Sequence, residues 1–92
     1  MTMARLDDAA IAERLAKLSG WERVGDEIRK EYRFADFAEA MGFVTRVALR
    51  AEAMDHHPDI DVRYSRVTLA LTSHDAGGLT ERDFRLAAQI DS

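Results

Sequence analysis

The chain has 92 residues, with 13 basic and 17 acidic side chains that give a formal net charge of −4. Its length predicts one small domain over residues 1–92, and its acidic balance argues against binding nucleic acid through a basic surface of its own. The absence of cysteine excludes disulfides and thiolate metal sites and fits a cytoplasmic protein. No apolar run approaches the ~20 residues of a membrane span.

The first predicted element is an amphipathic helix. Asp8 lies where the helix begins, and negative charge suits a helix N-terminus. Ile11, Leu15 and Leu18 recur at helical spacing, and Gly20 is a natural stop. This pattern predicts a helix that covers the core.

Two strand-like runs follow the helix. Residues 21–24 form the first run, and Gly25-Asp26 provides a turn. In residues 27–34, Ile28 and Tyr32 share one face while charged side chains occupy the other. The pattern predicts a hairpin whose second strand is half buried.

A long helix is predicted from Asp36. Apolar residues follow one broad stripe from Phe37 to Met54, and Pro58 forbids helical geometry just before it. His56 and His57 therefore fall at or just past the end of this helix. The stripe is wide enough to serve either the core or an oligomer contact.

The last part of the sequence predicts two further strands and a final helix. Residues 62–64 and 66–73 have the pattern of strands, and Gly77-Gly78 is expected to break the regular structure after them. Thr80 and Asp83 are spaced as a capping box at the start of the last helix. The element order is therefore α-β-β-α-β-β-α. It predicts an α+β fold, with a four-stranded antiparallel sheet covered on one face by helices.

All three histidines lie in one short window of the sequence, at positions 56, 57 and 74. Carboxylates surround them: Glu52, Asp55, Asp59, Asp61, Asp75 and Asp83. Because imidazole exchanges protons near neutral pH, the window is compatible with an acid/base or ligand site. A metal site and a structural helix cap are the alternatives.

The sequence argues against two other chemistries. Adjacent residues at a helix end project about 100° apart, so His56 and His57 are poorly placed to ligate one ion. Neither Ser65 nor Ser73 stands in a nucleophile-elbow pattern, and there is no cysteine nucleophile. General acid/base chemistry needs only imidazoles held in position.

The spacing Glu52-x3-His56-His57-Pro58-x5-Tyr64-x9-His74-x8-Asp83 resembles the signature of the pterin-4a-carbinolamine dehydratase family. The resemblance extends from about Trp21 to Ile90. One departure is Ile60, which stands where the family commonly has a tryptophan.

The resemblance implies a dehydratase that converts 4a-hydroxytetrahydropterin to quinonoid dihydropterin and water, without a metal or other cofactor. His56 and His74 would be the acid/base pair, and His57 would hold the pterin ring. Further residues would contact the pterin, namely Asp55, Thr72, Ser73 and Asp75. Glu52 and Asp83 would orient the histidines or close the site, and Tyr64 is expected to pack.

The resemblance also implies partners. Family members form dimers or tetramers, so we expect a homodimer or homotetramer in the same pathway as an aromatic amino acid hydroxylase. Animal members also act as dimerisation cofactors of a transcription factor. Alternative functions are therefore a pterin-binding or protein-interaction module without this activity, and a dehydratase acting on another pterin.

Overall fold

The computed structural model describes residues 4–92 and confirms the predicted element order. The helices are α1 (Asp8–Leu15), α2 (Phe37–Met54) and α3 (Glu81–Ile90), and the strands are β1 (Glu22–Val24), β2 (Glu27–Arg33), β3 (Asp59–Arg63) and β4 (Arg66–Leu71). A short 3-10 helix, His74–Ala76, lies between β4 and α3. None of the helices in residues 4–92 is long and apolar enough to cross a membrane.

The four strands form one antiparallel sheet in the order β1-β2-β4-β3. Each hairpin of the sequence supplies two neighbouring strands, and the pairing of β2 with β4 joins the two hairpins. Ile28 lies opposite Leu71 in this central pair, and Tyr32 lies opposite Val67. The register therefore aligns the apolar faces of the two strands.

The core lies between one face of the sheet and the helices. Val67, Leu69 and Leu71 alternate along β4 and are fully buried, as is Ile28 on β2. The helices complete the core with Ile11 from α1, with Ala40, Phe43, Val47 and Ala51 from α2, and with Phe84, Leu86 and Ala87 from α3. The period of two in the strands predicts their buried face correctly. The stripe of α2 is only partly buried, since Phe37 and Met41 remain exposed.

The end of α2 places the two adjacent histidines. Asp55 adopts a left-handed conformation with φ 50°, and its N–H donates to Glu52 O at 3.1 Å. The N–H of His56 donates to Ala51 O at 3.0 Å. These two bonds form a Schellman motif, which ends the helix before the chain reaches Pro58. The predicted position of His56 and His57 just past the helix is confirmed.

Two boundaries differ from the sequence prediction. Strand β3 begins at Asp59 rather than at residue 62, because pairing with β4 extends back to Ala70. Tyr64 lies outside the strand in a tight turn with φ 56°. Its side chain is 69% exposed, so the expected packing role is wrong for the described chain.

The segment after β4 also differs from the expected continuous strand. Ser73 and Gly78 form an isolated antiparallel bridge, with N–H donation in both directions at 3.1 and 3.3 Å. The bridge closes a loop in which His74 begins the 3-10 helix, and Gly77 takes a positive φ of 73°. His74 therefore lies on a loop that turns back on itself.

Candidate active site

His56 connects the end of α2 to the start of α3. Its side chain is 8% exposed, and its Nε2 lies 2.6 Å from Oδ1 of Asp83, which is fully buried. Asp83 lies in the first turn of α3, where its carboxylate also takes part in the capping box with Thr80. The contact fixes His56 on an element distant in sequence.

Asp83 receives further hydrogen bonds on its other oxygen. Its Oδ2 accepts from the hydroxyl of Ser73 at 2.8 Å and from the N–H of Thr80 at 2.9 Å. A second contact of 2.8 Å joins the hydroxyls of Ser73 and Thr80. Burying a carboxylate is costly unless donors surround it, and here both oxygens are occupied.

His57 has a carboxylate partner in very different surroundings. Its Nε2 lies 2.7 Å from Oε1 of Glu52, on the last turns of α2. The two side chains are 57% and 79% exposed. A pair this open to solvent is held weakly, since exposed ion pairs contribute only about 0–1 kcal/mol.

His74 and Asp75 form the first part of the loop between β4 and α3. Oδ1 of Asp75 accepts a hydrogen bond from Nη2 of Arg82 at 2.5 Å. This hydrogen bond holds the pKa of Asp75 below its ordinary value. The ion pair ties the loop that carries His74 to α3.

An open pocket of about 350 Å³ lies beside His74. Thr72 also lines it and donates its hydroxyl to Asp26 O at 2.6 Å. The remaining lining residues are Val24, Asp26, Glu27, Gly77 and Gly78. The volume lies at the lower end of the range for small-molecule sites. His56 and His57 are not part of this lining.

The structure thus brings some predicted site residues together and separates others. Ser73 donates to Asp83, the partner of His56, but Ser73 is turned inward and is 1% exposed. Thr72 and His74 line the pocket, whereas Asp55 caps α2 at the surface. Ile60 is 37% exposed on β3 and does not line the pocket beside His74.

Thr80 belongs to the buried network and was predicted only as a helix cap. A signal was available, because the capping box shares Asp83 with the histidine signature. In residues 4–92, the structure contains no cluster of three or more histidine and carboxylate side chains placed to hold a metal ion.

The family model for pterin 4 alpha carbinolamine dehydratase matches residues 4–92. The chain belongs to this family. A protein from Roseiflexus sp. (strain RS-1) is 60% identical over 87 residues, which cover 95% of this chain and 94% of that protein. One from Chloroflexus aurantiacus is 60% identical over 89 residues, with 97% and 96% covered. Both are provisionally named pterin-4-alpha-carbinolamine dehydratases.

Two solved structures are similar to this dehydratase-family chain. A transcriptional coactivator/pterin dehydratase from Brucella melitensis matches with a TM-score of 0.91 and 37% identity, covering 95% of each chain. A pterin dehydratase-like protein, described as a RuBisCO assembly factor in the alpha-carboxysome, matches with a TM-score of 0.63. Its identity is 22%, with 77% of this chain and 82% of that chain covered, so it shows the fold alone.

Proposed function

We propose that this chain dehydrates 4a-hydroxytetrahydropterin to quinonoid dihydropterin and water. In this reaction N5 of the pterin loses a proton, and the hydroxyl on C4a takes up a proton and leaves as water. The observation that carries the proposal is the buried imidazole of His56, which the carboxylate of Asp83 holds through Nε2. A carboxylate that holds an imidazole fixes its orientation for proton transfer.

The histidines divide the work in the proposed reaction. His56 and His74 are the acid/base pair at the C4a hydroxyl and at N5, and His57 holds the pterin ring. One imidazole accepts a proton while another, protonated, donates one. Positioned transfers of this kind are worth about 10²–10⁴-fold each. Of the three histidines, His56 is the most rigidly held, because it pairs with the buried carboxylate of Asp83.

The pocket beside His74 supports the proposed substrate contacts. Its lining includes the side chains of Thr72 and His74 and the two glycines, Gly77 and Gly78, that follow the 3-10 helix. Polar groups at the end of a strand suit the amide-like edge of a pterin. Asp55 and Asp75 stay proposed contacts, and the carboxylate of Asp75 also accepts a hydrogen bond from Arg82.

The proposal predicts that His56→Ala or His74→Ala lowers turnover by about tenfold or more, because each removes one proton-transfer group. The measurement is the loss of the 4a-hydroxypterin ultraviolet signal, generated by an aromatic amino acid hydroxylase, with and without added protein. Circular dichroism of each variant checks that the fold is retained.

Arg85→Ala is the matched control, since Arg85 is an exposed residue of α3. Turnover of both histidine variants at the level of this control would contradict the acid/base assignment. A folded protein that binds a pterin analogue without accelerating the reaction would favour a different pterin substrate. Absence of pterin binding would favour the protein-interaction function.

We also infer that the chain self-associates through α2. Phe37, Met41 and Leu49 on this helix are 50%, 38% and 68% exposed, although all three are large and apolar. A single exposed apolar residue is ordinary, but several on one helix indicate a contact surface. A sedimentation experiment that finds only monomer at micromolar concentration would overturn this inference.

A further inference from the structure

The hydrogen bonds around Asp83 have a direction that the backbone sets. The N–H of Arg82 lies 3.2 Å from Oγ1 of Thr80, and the N–H of Thr80 lies 2.9 Å from Oδ2 of Asp83. A backbone N–H donates and never accepts. These two contacts therefore cannot be reversed by rotating a hydroxyl or moving a proton.

The directions of these two backbone hydrogen bonds determine where the hydroxyl protons of Ser73 and Thr80 point. Ser73 has one hydroxyl proton, and its oxygen lies 2.8 Å from Oδ2 of Asp83 and 2.8 Å from Oγ1 of Thr80. An ionised carboxylate only accepts, so the Ser73 proton is directed to Asp83. The Thr80 hydroxyl must then donate to Ser73. Every donor of the network is thus accounted for.

The hydrogen bonds of Asp83 also determine which nitrogen of the His56 ring carries the proton. Oδ1 of Asp83 lies 2.6 Å from Nε2, and an ionised carboxylate can only accept a hydrogen bond. The shared proton therefore belongs to Nε2. In the described part of the chain, Nδ1 makes no hydrogen bond, and it is not among the buried atoms that lack one. Nδ1 is thus the ring nitrogen that the contact with Asp83 leaves for other partners.

We propose that Asp83, oriented by Ser73 and Thr80, fixes neutral His56 in the form protonated on Nε2, so that Nδ1 is the nitrogen that exchanges a proton with the substrate. The three are positioning residues, because none of them touches the reacting atoms. The role of Nδ1 toward substrate rests on the proposed dehydration. The protonated form of the ring is a property of the free protein and is measured without substrate.

Asp83→Asn tests this proposal because the donors around it are fixed. The Thr80 N–H and the Ser73 hydroxyl both point to the position of Oδ2, so the carbonyl oxygen of the amide takes that position. Its NH₂ group then faces Nε2 of His56 as a donor. The ring must accept there, and its proton moves to Nδ1. The substitution is nearly isosteric and is expected to invert the tautomer.

The measurement is nitrogen-15 NMR of the ring nitrogens, at a pH where titration shows His56 to be neutral. The chain has three histidines, and His57→Gln and His74→Gln assign their signals. We expect a proton on Nε2 in the wild type and on Nδ1 in Asp83→Asn. A wild-type ring protonated on Nδ1 overturns the proposal. So does an Asp83→Asn ring that keeps its proton on Nε2, since the donors would then not orient residue 83.

Turnover separates this inference from the proposed function. Asp83→Asn is expected to lower kcat by about 10²-fold or more with a smaller change in KM, because Nδ1 of the neutral ring then carries a proton and Nε2 is no longer held by a carboxylate. The expected tautomers without dehydratase activity would overturn only the proposed function. Dehydratase activity with the opposite tautomer would overturn only this inference. Should Asp83→Asn fail to fold, the wild-type spectrum alone still shows which ring nitrogen of His56 carries the proton and so tests the proposal.

Discussion

His56 and His57 are neighbours in the chain, yet their carboxylate partners lie in different surroundings. Asp83 is fully buried and accepts from Ser73 and Thr80 as well as from His56. Glu52 is largely exposed and contacts His57. The same kind of contact, an imidazole with a carboxylate, is therefore rigid in one case and easily exchanged with water in the other.

This contrast predicts a small effect at Glu52. We expect Glu52→Gln to lower kcat/KM by no more than about fivefold, because an exposed pair contributes at most about 1 kcal/mol. The loss should shrink further in high salt, which screens exposed charges. Steady-state kinetics at two ionic strengths measures both effects. A loss as large as that of Asp83→Asn would contradict the role of burial.

At the residue scale, the sequence predicted which residues belong to the site better than it predicted which side chains contact one another. The spacing of the signature placed His56 and Asp83 in one site, and the structure joins them at 2.6 Å. The inward direction of Ser73 was not predictable, because it depends on the bridge to Gly78 and on the position of α3. Contacts between separate elements follow from tertiary packing, which periodicity does not describe.

At the scale of single elements, the end of α2 carries a conformational cost. Asp55 has a φ of 50°, in the left-handed region where helices usually place glycine. Aspartate tolerates this region better than most residues, but its Cβ is still unfavourable. The chain accepts this geometry where the Schellman motif directs His56 toward Asp83.

We therefore expect Asp55→Gly to be more stable than Asp55→Ala by about 1 kcal/mol, since alanine at positive φ is strained. Urea unfolding of the two variants measures the difference. Both variants lack the carboxylate, so any role of Asp55 in pterin binding should change KM equally in both. Equal stabilities would mean that the left-handed geometry is not maintained in solution.

Element types were predictable from periodicity, while two boundaries were not. The helical stripe from Phe37 to Met54 and the alternation in residues 66–71 both lie within elements of the same type in the structure. The start of β3 at Asp59 depends on its pairing with Ala70, and pairing is a property of two strands. The 3-10 turn at His74 likewise results from the bridge that closes its loop.

At the scale of the whole molecule, Asp91 joins α3 to the sheet and to the segment before β1. Its carboxylate accepts from Trp21 Nε1 at 2.7 Å, from Lys30 Nζ at 3.1 Å and from Tyr32 OH at 2.5 Å. Burial, followed by the hydrogen bond to Asp91, raises the pKa of Tyr32 well above its ordinary value. The folded chain therefore favours the neutral phenol.

This raised pKa predicts a loss of stability in alkali. The contribution of neutral Tyr32 is fully present below about pH 10, the ordinary pKa of tyrosine, and declines above it as the unfolded chain ionises first. Tyr32→Phe should be less stable near neutrality by about 1–3 kcal/mol, yet lose less free energy of unfolding between about pH 9 and pH 11. Urea unfolding across this range measures it.

Tyr64→Phe is the matched control, because Tyr64 is exposed and no hydrogen bond of its side chain appears in residues 4–92. Its pH profile should follow that of the wild type. If Tyr32→Phe and the wild type decline in parallel, the phenol of Tyr32 ionises freely in the folded chain, and its burial does not persist in solution.

The order of the strands is the whole-molecule feature that the sequence did not supply. The sequence predicts four antiparallel strands, but it does not show that β2 pairs with β4 and leaves β1 and β3 at the edges. Both central strands carry the most regular apolar alternation, so burial on the inner face favours this order. Predicting the strand order requires comparing all possible strand pairings, because the local pattern of each strand is compatible with several of them.

Asp83 serves two purposes with one side chain, since it completes the capping box of α3 and holds His56. A screen that scores cellular abundance separately from activity would register this overlap. Substitutions at Asp83 and Thr80 should depress both scores, because a poorly capped, partly unfolded chain is degraded. Substitutions at exposed His74 should depress activity alone. Substitutions are therefore expected to be tolerated least at the buried positions of the site, which are the least accessible to substrate.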